Sequence, residues 1–128
     1  MSSMSAKAKK VLVCYSGSET ARRALAAAVE HVGYGSLLAV ATVAGNGEPT
    51  ANVVLSEARD ALLHKHVTAT YVPLVGDAAD ELVETAAALG ADLLVIGART
   101  RNGHPTASLG PVSAEVVQRA PCDVLVVR

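Results

Sequence analysis

The best candidate for a ligand site is the long segment IGARTRNGHPTASLGPVS, residues 96–113, between an apolar run and a predicted helix. Gly97 and Gly110 enclose twelve residues that are mostly basic, small or hydroxyl-bearing. Strand-to-helix connections in α/β folds usually run about 2–6 residues, so this one is longer than a connection requires. A loop of this kind that leads into a helix N-terminus can bind a phosphate through backbone N–H groups.

Two residues of the segment weaken that interpretation. Thr100 is β-branched and disfavours the positive φ angles that a glycine would allow in a phosphate loop. Pro111 has neither an N–H nor a hydroxyl, although it suits the first turn of a helix. The basic side chains of Arg99, Arg101 and His104 either engage an anion over the loop or lie solvated on its surface. The segment therefore has the overall form of a phosphate-binding loop but lacks hydrogen-bond donors that such a loop would use.

Apolar runs alternate with helical periodicity along the whole chain. Five runs predict strands and four periodic segments predict helices, which together indicate an α/β fold with an open five-stranded parallel sheet and helices on both faces. The strands are expected at residues 11–15, 36–43, 67–75, 91–97 and 122–127, and the helices at residues 21–32, 51–66, 78–89 and 112–120.

Local signals mark the ends of these elements. Ser18 and Asp77 are suitable N-caps, and Gly33 and Gly90 are suitable helix stops. Pro73 lacks an N–H and therefore predicts an edge strand or a strand end. Because ligands in parallel sheets bind at the carboxyl ends of the strands, the turn after the first strand and the long loop after the fourth are expected to meet over one crevice.

Length, composition and charge limit the kinds of protein that this chain can be. The 128 residues predict one domain, residues 9–128, preceded by a flexible tail, residues 1–8. Eleven basic and twelve acidic residues give a net charge of −1, which predicts neither a nucleic-acid partner nor a membrane surface. Cys14 and Cys122 lack CxxC spacing and are expected to be reduced thiols. With no signal sequence and no apolar run of about 18 residues, we expect a cytoplasmic protein.

Three stretches together resemble the universal stress protein family over nearly the whole chain. The opening KKVLVCYSGSETARRAL is similar to its first strand and helix, and VGDAADELVETAAALGADLLVIGAR to its third helix and fourth strand. The ending GPVSAEVVQRAPCDVLVV is similar to its last helix and strand. The resemblance implies strand order 3-2-1-4-5, a homodimer and, in one branch of the family, an ATP site marked Gly-x2-Gly-x9-Gly-Ser/Thr.

That motif is only partly present. Gly97 and Gly110 match its first and third glycines, and Val112 and Ser113 continue it, whereas Thr100 and Pro111 depart from it. Nucleotide-binding members carry an Asp that contacts the sugar where this chain has Ser16, and Val40 matches a position whose backbone meets adenine. With the basic Arg99 of the loop added, the expected ligand-binding residues are Ser16, Val40, Gly97, Arg99, Gly110, Val112 and Ser113.

The resemblance implies a cytoplasmic stress-response protein that acts as a dimeric binding module, and the incomplete motif predicts weak or lost ATP binding, no catalysis and no resident cofactor. The expected partner is a second copy, paired through the last strand at Asp123, Val124, Leu125, Val126 and Val127. A nucleotide-binding switch that uses residues 97–113 is the alternative.

Enzymatic and metal-binding roles find little support in the sequence. The stretch SGSET faintly resembles the SGGxDS loop of ATP pyrophosphatases, but Ser18 replaces its second glycine, and Thr20 and Ala21 replace its Asp and Ser. His64 and His66 lie two residues apart on a helix end, where they do not share a face as metal ligands would. We expect neither a catalytic residue nor a metal ligand.

Overall fold

A computed structural model of the chain describes residues 8–44, 50–98, 100–101, 104–105 and 110–128. The elements in chain order are β1 (Ala8–Cys14), α1 (Glu19–His31), β2 (Val32–Ala44), α2 (Thr50–His64), β3 (Thr70–Val75), α3 (Ala78–Leu89), β4 (Leu93–Gly97), β5 (Thr100–Arg101), β6 (His104–Pro105), α4 (Pro111–Arg119) and β7 (Asp123–Val127). No helix among these residues is both long and apolar enough to cross a membrane.

The main sheet has five parallel strands in the order β3-β2-β1-β4-β7. This order is the predicted 3-2-1-4-5 order, since β7 is the fifth strand of that sheet. The predicted fold class is therefore confirmed. Pro73 lies on the edge strand β3, as its missing N–H predicted. The two-residue strands β5 and β6 pair antiparallel within the long loop, where no strand was expected.

Side chains that alternate along the strands form one core on each face of the sheet. On one face Val13 and Val40 pack with α1 and α2, and on the other Leu12 and Leu94 pack with α3 and α4. Alanines such as Ala24 and Ala86 are fully buried in the two helix layers. Because the chain has no Phe or Trp, its layers are built from small aliphatic side chains that allow close approach of helix and sheet.

The predicted caps of α1 and α3 are confirmed. The Ala21 N–H donates to Ser18 Oγ over 3.1 Å, and the Asp80 N–H donates to Asp77 Oδ2 over 3.0 Å. Gly90 ends α3 with φ of 66°, a left-handed conformation that costs glycine little. These caps fix where α1 and α3 begin at the carboxyl edge of the sheet.

Several predicted boundaries were wrong: α2 ends at His64 rather than at residue 66, β3 begins at Thr70 rather than at residue 67, and at two other places strand pairing extends the strands. Helix α1 ends at His31, and Val32 continues directly into β2, so Gly33 is not the stop of the helix. Ala8 belongs to β1 and pairs with Val32, although the sequence placed it in the N-terminal tail. The rest of that tail, residues 1–7, lies outside the described residues. Asp92 Oδ2 accepts the N–H groups of Lys9 and Lys10 at 3.1 and 2.9 Å, which holds the start of β1.

Candidate functional site

A crevice of about 510 Å³ opens at the carboxyl edge of the sheet. The ends of β1, β2 and β4 form its floor, and the first turns of α1, α3 and α4 form its walls. The chain segments that follow β1 and β4 were predicted to meet, and both line this crevice. The lining residues are Cys14, Ser16, Ser18, Thr20, Ala21, Thr42, Val43, Ala78, Ile96, Gly97, Ala98, Gly110, Pro111, Val112 and Ser113.

The crevice is neutral over the part of its lining that the structure describes. Hydroxyl groups and small aliphatic side chains predominate, and none of these residues is Lys, Arg, His, Asp or Glu. Burial raises the pKa of the Cys14 thiol to about 11, so the thiol stays protonated at neutral pH. The positive ends of the helix dipoles are therefore the main electrostatic feature of this lining.

The structure brings together five of the seven expected ligand-binding residues. Ser16, Gly97, Gly110, Val112 and Ser113 all line the crevice.

The other two expected residues are not placed at the crevice. Val40 is fully buried in the core on the α1 and α2 face and does not line it. Thr42 and Val43, closer to the end of β2, line it instead. Arg99 lies outside the described residues. The sequence named Val40 from the family resemblance, whereas Val40 packs on the α1 and α2 face and Val43, three residues further along β2, packs on the other face.

Packing alone requires a glycine at position 97. A Cβ built on Gly97 would lie 2.8 Å from Thr20 Oγ1, 2.9 Å from the Thr20 carbonyl carbon and 3.0 Å from the Ala21 nitrogen. Helix α1 thus begins directly against the end of β4. The first glycine of the motif has a sufficient structural reason, so its presence alone does not indicate a phosphate site.

Helix α4 begins at the crevice with few donors. Gly110 is its N-cap and makes no side-chain capping bond, and Pro111 occupies the first turn without an N–H. The first intrahelical bond runs from the Ala114 N–H to the Gly110 carbonyl, so the N–H groups of Val112 and Ser113 precede the helix ladder. The Ser113 hydroxyl donates weakly to the Gly97 carbonyl over 3.4 Å. A ligand at this helix would meet two backbone donors in the first turn.

A line of hydroxyl groups follows the turn after β1. Ser16 Oγ donates to Ser18 Oγ over 3.2 Å, and Ser18 Oγ lies 3.4 Å from Thr20 Oγ1. Thr20 is buried and donates to the carbonyl of Ala98 over 2.8 Å. Neither Ser18 nor Thr20 was among the ligand-binding residues expected from the sequence, although SGSET contains three hydroxyl residues at spacing i, i+2, i+4.

Ionisable clusters elsewhere in the described chain are already satisfied. Glu57 accepts hydrogen bonds from the Tyr15 hydroxyl and from Arg22, and burial together with Glu57 raises the pKa of Tyr15 to about 12. This group borders a smaller pocket of about 180 Å³ between α1 and α2. A carboxylate held in this way is not a free general base.

The acidic residues at the start of α3 are likewise compensated. Arg119 donates to Asp80 over 2.6 Å and to Glu115 over 2.7 Å. Asp77, the third member of this acidic group, caps the helix. His64 and His66 do not form a pair, because α2 ends at His64 and His66 follows in a left-handed conformation with φ of 57°.

Comparison with known proteins agrees with this architecture. The family model described as "Universal stress protein family" matches residues 7–128. A universal stress protein of Thermus aquaticus is 33% identical over 94% of this chain and 98% of its own length. The universal stress protein YxiE of Bacillus subtilis (strain 168) is 28% identical over 93% of this chain and 98% of its own length.

Solved structures show the same relationship. A universal stress protein crystallised in complex with cAMP is 32% identical, with a TM-score of 0.78 and coverage of 95% of this chain and 98% of that one. Protein Rv1636 from Mycobacterium tuberculosis H37Rv is 31% identical, with a TM-score of 0.67 and coverage of 95% and 96%. The family model matches almost the whole chain, and the sheet has the strand order that the resemblance implied. This chain therefore belongs to the universal stress protein family.

Proposed function

We propose that this protein is a non-catalytic cytoplasmic regulator whose crevice binds a nucleotide of low charge, a cyclic mononucleotide such as cAMP, and binds ATP weakly or not at all. The observation that carries the proposal is the neutral lining of the crevice over its described residues, which ends at a helix that starts with Pro111.

ATP and cAMP differ in the negative charge that they bring to the crevice. ATP brings a multiply charged triphosphate, whereas the cyclic diester of cAMP brings a single negative charge. Moving a charge from water into a crevice is costly unless the protein pairs it. The start of α4 offers a partial positive charge of roughly half an elementary unit and the N–H groups of Val112 and Ser113. That suits one phosphate better than three.

A related structure supports the choice of ligand. The universal stress protein with bound cAMP covers nearly the whole chain at 32% identity. The crevice of this chain, at about 510 Å³, lies within the range of about 300–1,000 Å³ that is usual for small-molecule sites.

The same lining supports a binding role without catalysis. A hydrolase acting on a nucleotide would need a positioned base, a metal or an activated nucleophile near the phosphate. Among the described lining residues there is no carboxylate and no imidazole, and the pKa of Cys14 is too high for a thiolate at neutral pH. The hydroxyls of Ser16, Ser18 and Thr20 therefore have no base beside them in this lining.

Pairing of two copies through β7 completes the proposal. The opposite edge strand, β3, contains Pro73, which interrupts a ladder of donors. Strand β7 is the other edge, and Val124 and Val126 remain partly exposed in the single chain. Antiparallel pairing of Asp123–Val127 with the same strand of a second copy would satisfy its backbone groups about a two-fold axis.

Restoring the missing donors tests the weak binding of ATP. The triple replacement Ser16→Asp, Thr100→Gly and Pro111→Ser is expected to raise ATP affinity at least tenfold in calorimetry. One charge-assisted hydrogen bond is worth about 1.5–3 kcal/mol, or about 10- to 150-fold in affinity.

A matched pair of variants separates the two groups that Pro111 lacks. Pro111→Ala restores the N–H alone, and Pro111→Ser restores the N–H and the hydroxyl, so Pro111→Ser should gain more. Purification of the native protein with tightly bound ATP would contradict the proposal.

A further inference from the structure

The smaller pocket of about 180 Å³ is a groove between α1 and α2 with an apolar floor, called here the α1–α2 groove. Its floor includes Leu25 and Leu62, which are 5% and 1% exposed. Ala26 of α1 and Ala61 of α2 line its sides. The groove exists because each side carries only a methyl group where a longer aliphatic side chain would fill the space.

The charges along the groove are paired at one end and unpaired at the other. Residues four apart share a helix face, so Glu57, Ala61 and Lys65 follow one another along this side of α2 and its last turn. Glu57 accepts hydrogen bonds from the Tyr15 hydroxyl and from Arg22, and the Arg22 cation balances its charge. Lys65 is exposed and forms no ion pair within the part of the chain that the structure describes. The described lining of the groove therefore has one uncompensated positive charge.

The size of the groove limits what it can hold. Its volume lies below the range of about 300–1,000 Å³ that is usual for drug-sized ligands and cofactors, whereas a cavity of about 150 Å³ holds one benzene molecule. A stable protein partner would bury about 1,600 Å² in total, and the exposed side chains that line the groove include the charged Arg22, Glu57 and Lys65. The groove therefore fits one small molecule with an apolar body.

We propose that the α1–α2 groove is a second ligand site, for a small monocarboxylate with an apolar body, such as a short-chain fatty acid. Its hydrocarbon part covers Leu25 and Leu62, and its carboxylate pairs with Lys65. One negative charge matches the net charge of the groove. A cation would meet Lys65 as a like charge, and a second negative charge would lie near Glu57 without a partner. The groove and the crevice share no described lining residue, so the proposal does not depend on a nucleotide.

Three probes of equal chain length test it: hexanoate, the neutral hexanamide and the cationic hexylamine. Each is titrated into the full chain while the alanine methyl signals are followed by NMR. Hexanoate should move the signals of Ala26 and Ala61 and leave those of Ala78 and Ala98, which line the crevice. A dissociation constant of about 1 mM is expected for a ligand of this size. Hexanamide should bind about 2- to 5-fold more weakly, the range for one exposed ion pair, and hexylamine more weakly still.

Matched variants locate the charge and the apolar body of the ligand. Lys65→Gln should bind hexanoate and hexanamide equally, whereas Lys65→Arg should keep the preference for hexanoate. Lys9→Gln makes the same change at an exposed lysine away from the groove and should keep it too. Ala61→Leu fills the groove and should weaken hexanoate binding about tenfold or more. Ala88→Leu, at an exposed position of α3, should leave binding unchanged.

Three results would each overturn the proposal. The first is that the Ala26 and Ala61 signals do not move at several times the expected dissociation constant. The second is equal affinity of the native protein for hexanoate and hexanamide. The third is a Lys65→Gln variant that still prefers hexanoate, since a merely structural lysine would leave that preference unchanged. None of these measurements involves a nucleotide, so each failure would leave the proposed function of the crevice intact.

Discussion

Replacing Gly97 with alanine is expected to destabilise the protein, because α1 leaves no room for a side chain at the end of β4. The new methyl group would lie 2.8 Å from Thr20 Oγ1, 2.9 Å from the Thr20 carbonyl carbon and 3.0 Å from the Ala21 nitrogen. Forcing a methyl into a packed site typically costs about 1–3 kcal/mol. With three such contacts, two of them to backbone atoms that cannot rotate away, we expect a loss of about 2 kcal/mol in the free energy of unfolding.

Urea unfolding followed by circular dichroism measures this loss. For a slope of about 2 kcal/mol per molar, the midpoint should fall by about 1 M without a change in slope. A double-mutant cycle with Thr20→Ala removes the Oγ1 contact only. Gly97→Ala should therefore cost about 0.5–1 kcal/mol less in that background, with the two backbone contacts still felt. A loss below about 0.5 kcal/mol for Gly97→Ala alone would refute the packing explanation.

Two further predictions concern the edge strand and the crevice thiol. Val126→Pro removes a ladder N–H from β7, so it should convert a native dimer into monomer or aggregate in light scattering. A native protein that is monomeric at every concentration would contradict the proposed pairing. In a Cys122→Ser background, alkylation of Cys14 should rise tenfold per pH unit up to a midpoint of about 11, because burial raises the pKa and lowers the thiolate fraction at any given pH. A midpoint near the ordinary value of 9.0 would show that the thiol is not buried in solution.

Features that depend on neighbouring residues along the chain could be predicted from the sequence. The caps at Ser18, Asp77 and Gly90 involve bonds within four residues, so local patterns identified them. The alternation of apolar runs and periodic segments gave the fold class. The strand order came from the family resemblance, because periodicity alone does not say which strands are neighbours.

Features that depend on pairing across the sheet could not be predicted. Val32 and Gly33 join β2 because Ala8 pairs beside them, and a helix stop at Gly33 was the better local interpretation. Val43 rather than Val40 lines the crevice, and the two residues pack on opposite faces of the sheet, which the resemblance that named Val40 does not reveal.

The steric role of Gly97 is a second such case. It follows from the approach of Thr20, which is 77 positions away along the chain, and no local pattern signals that contact.

The most direct test of the account is calorimetric titration of the native protein with cAMP and with ATP in the same buffer and salt. A crevice whose described lining is neutral and ends at Pro111 should bind cAMP at least tenfold more tightly than ATP, a difference of about 1.4 kcal/mol or more. Equal affinity, or tighter binding of ATP, would show that the described lining does not determine ligand choice and would contradict the central claim.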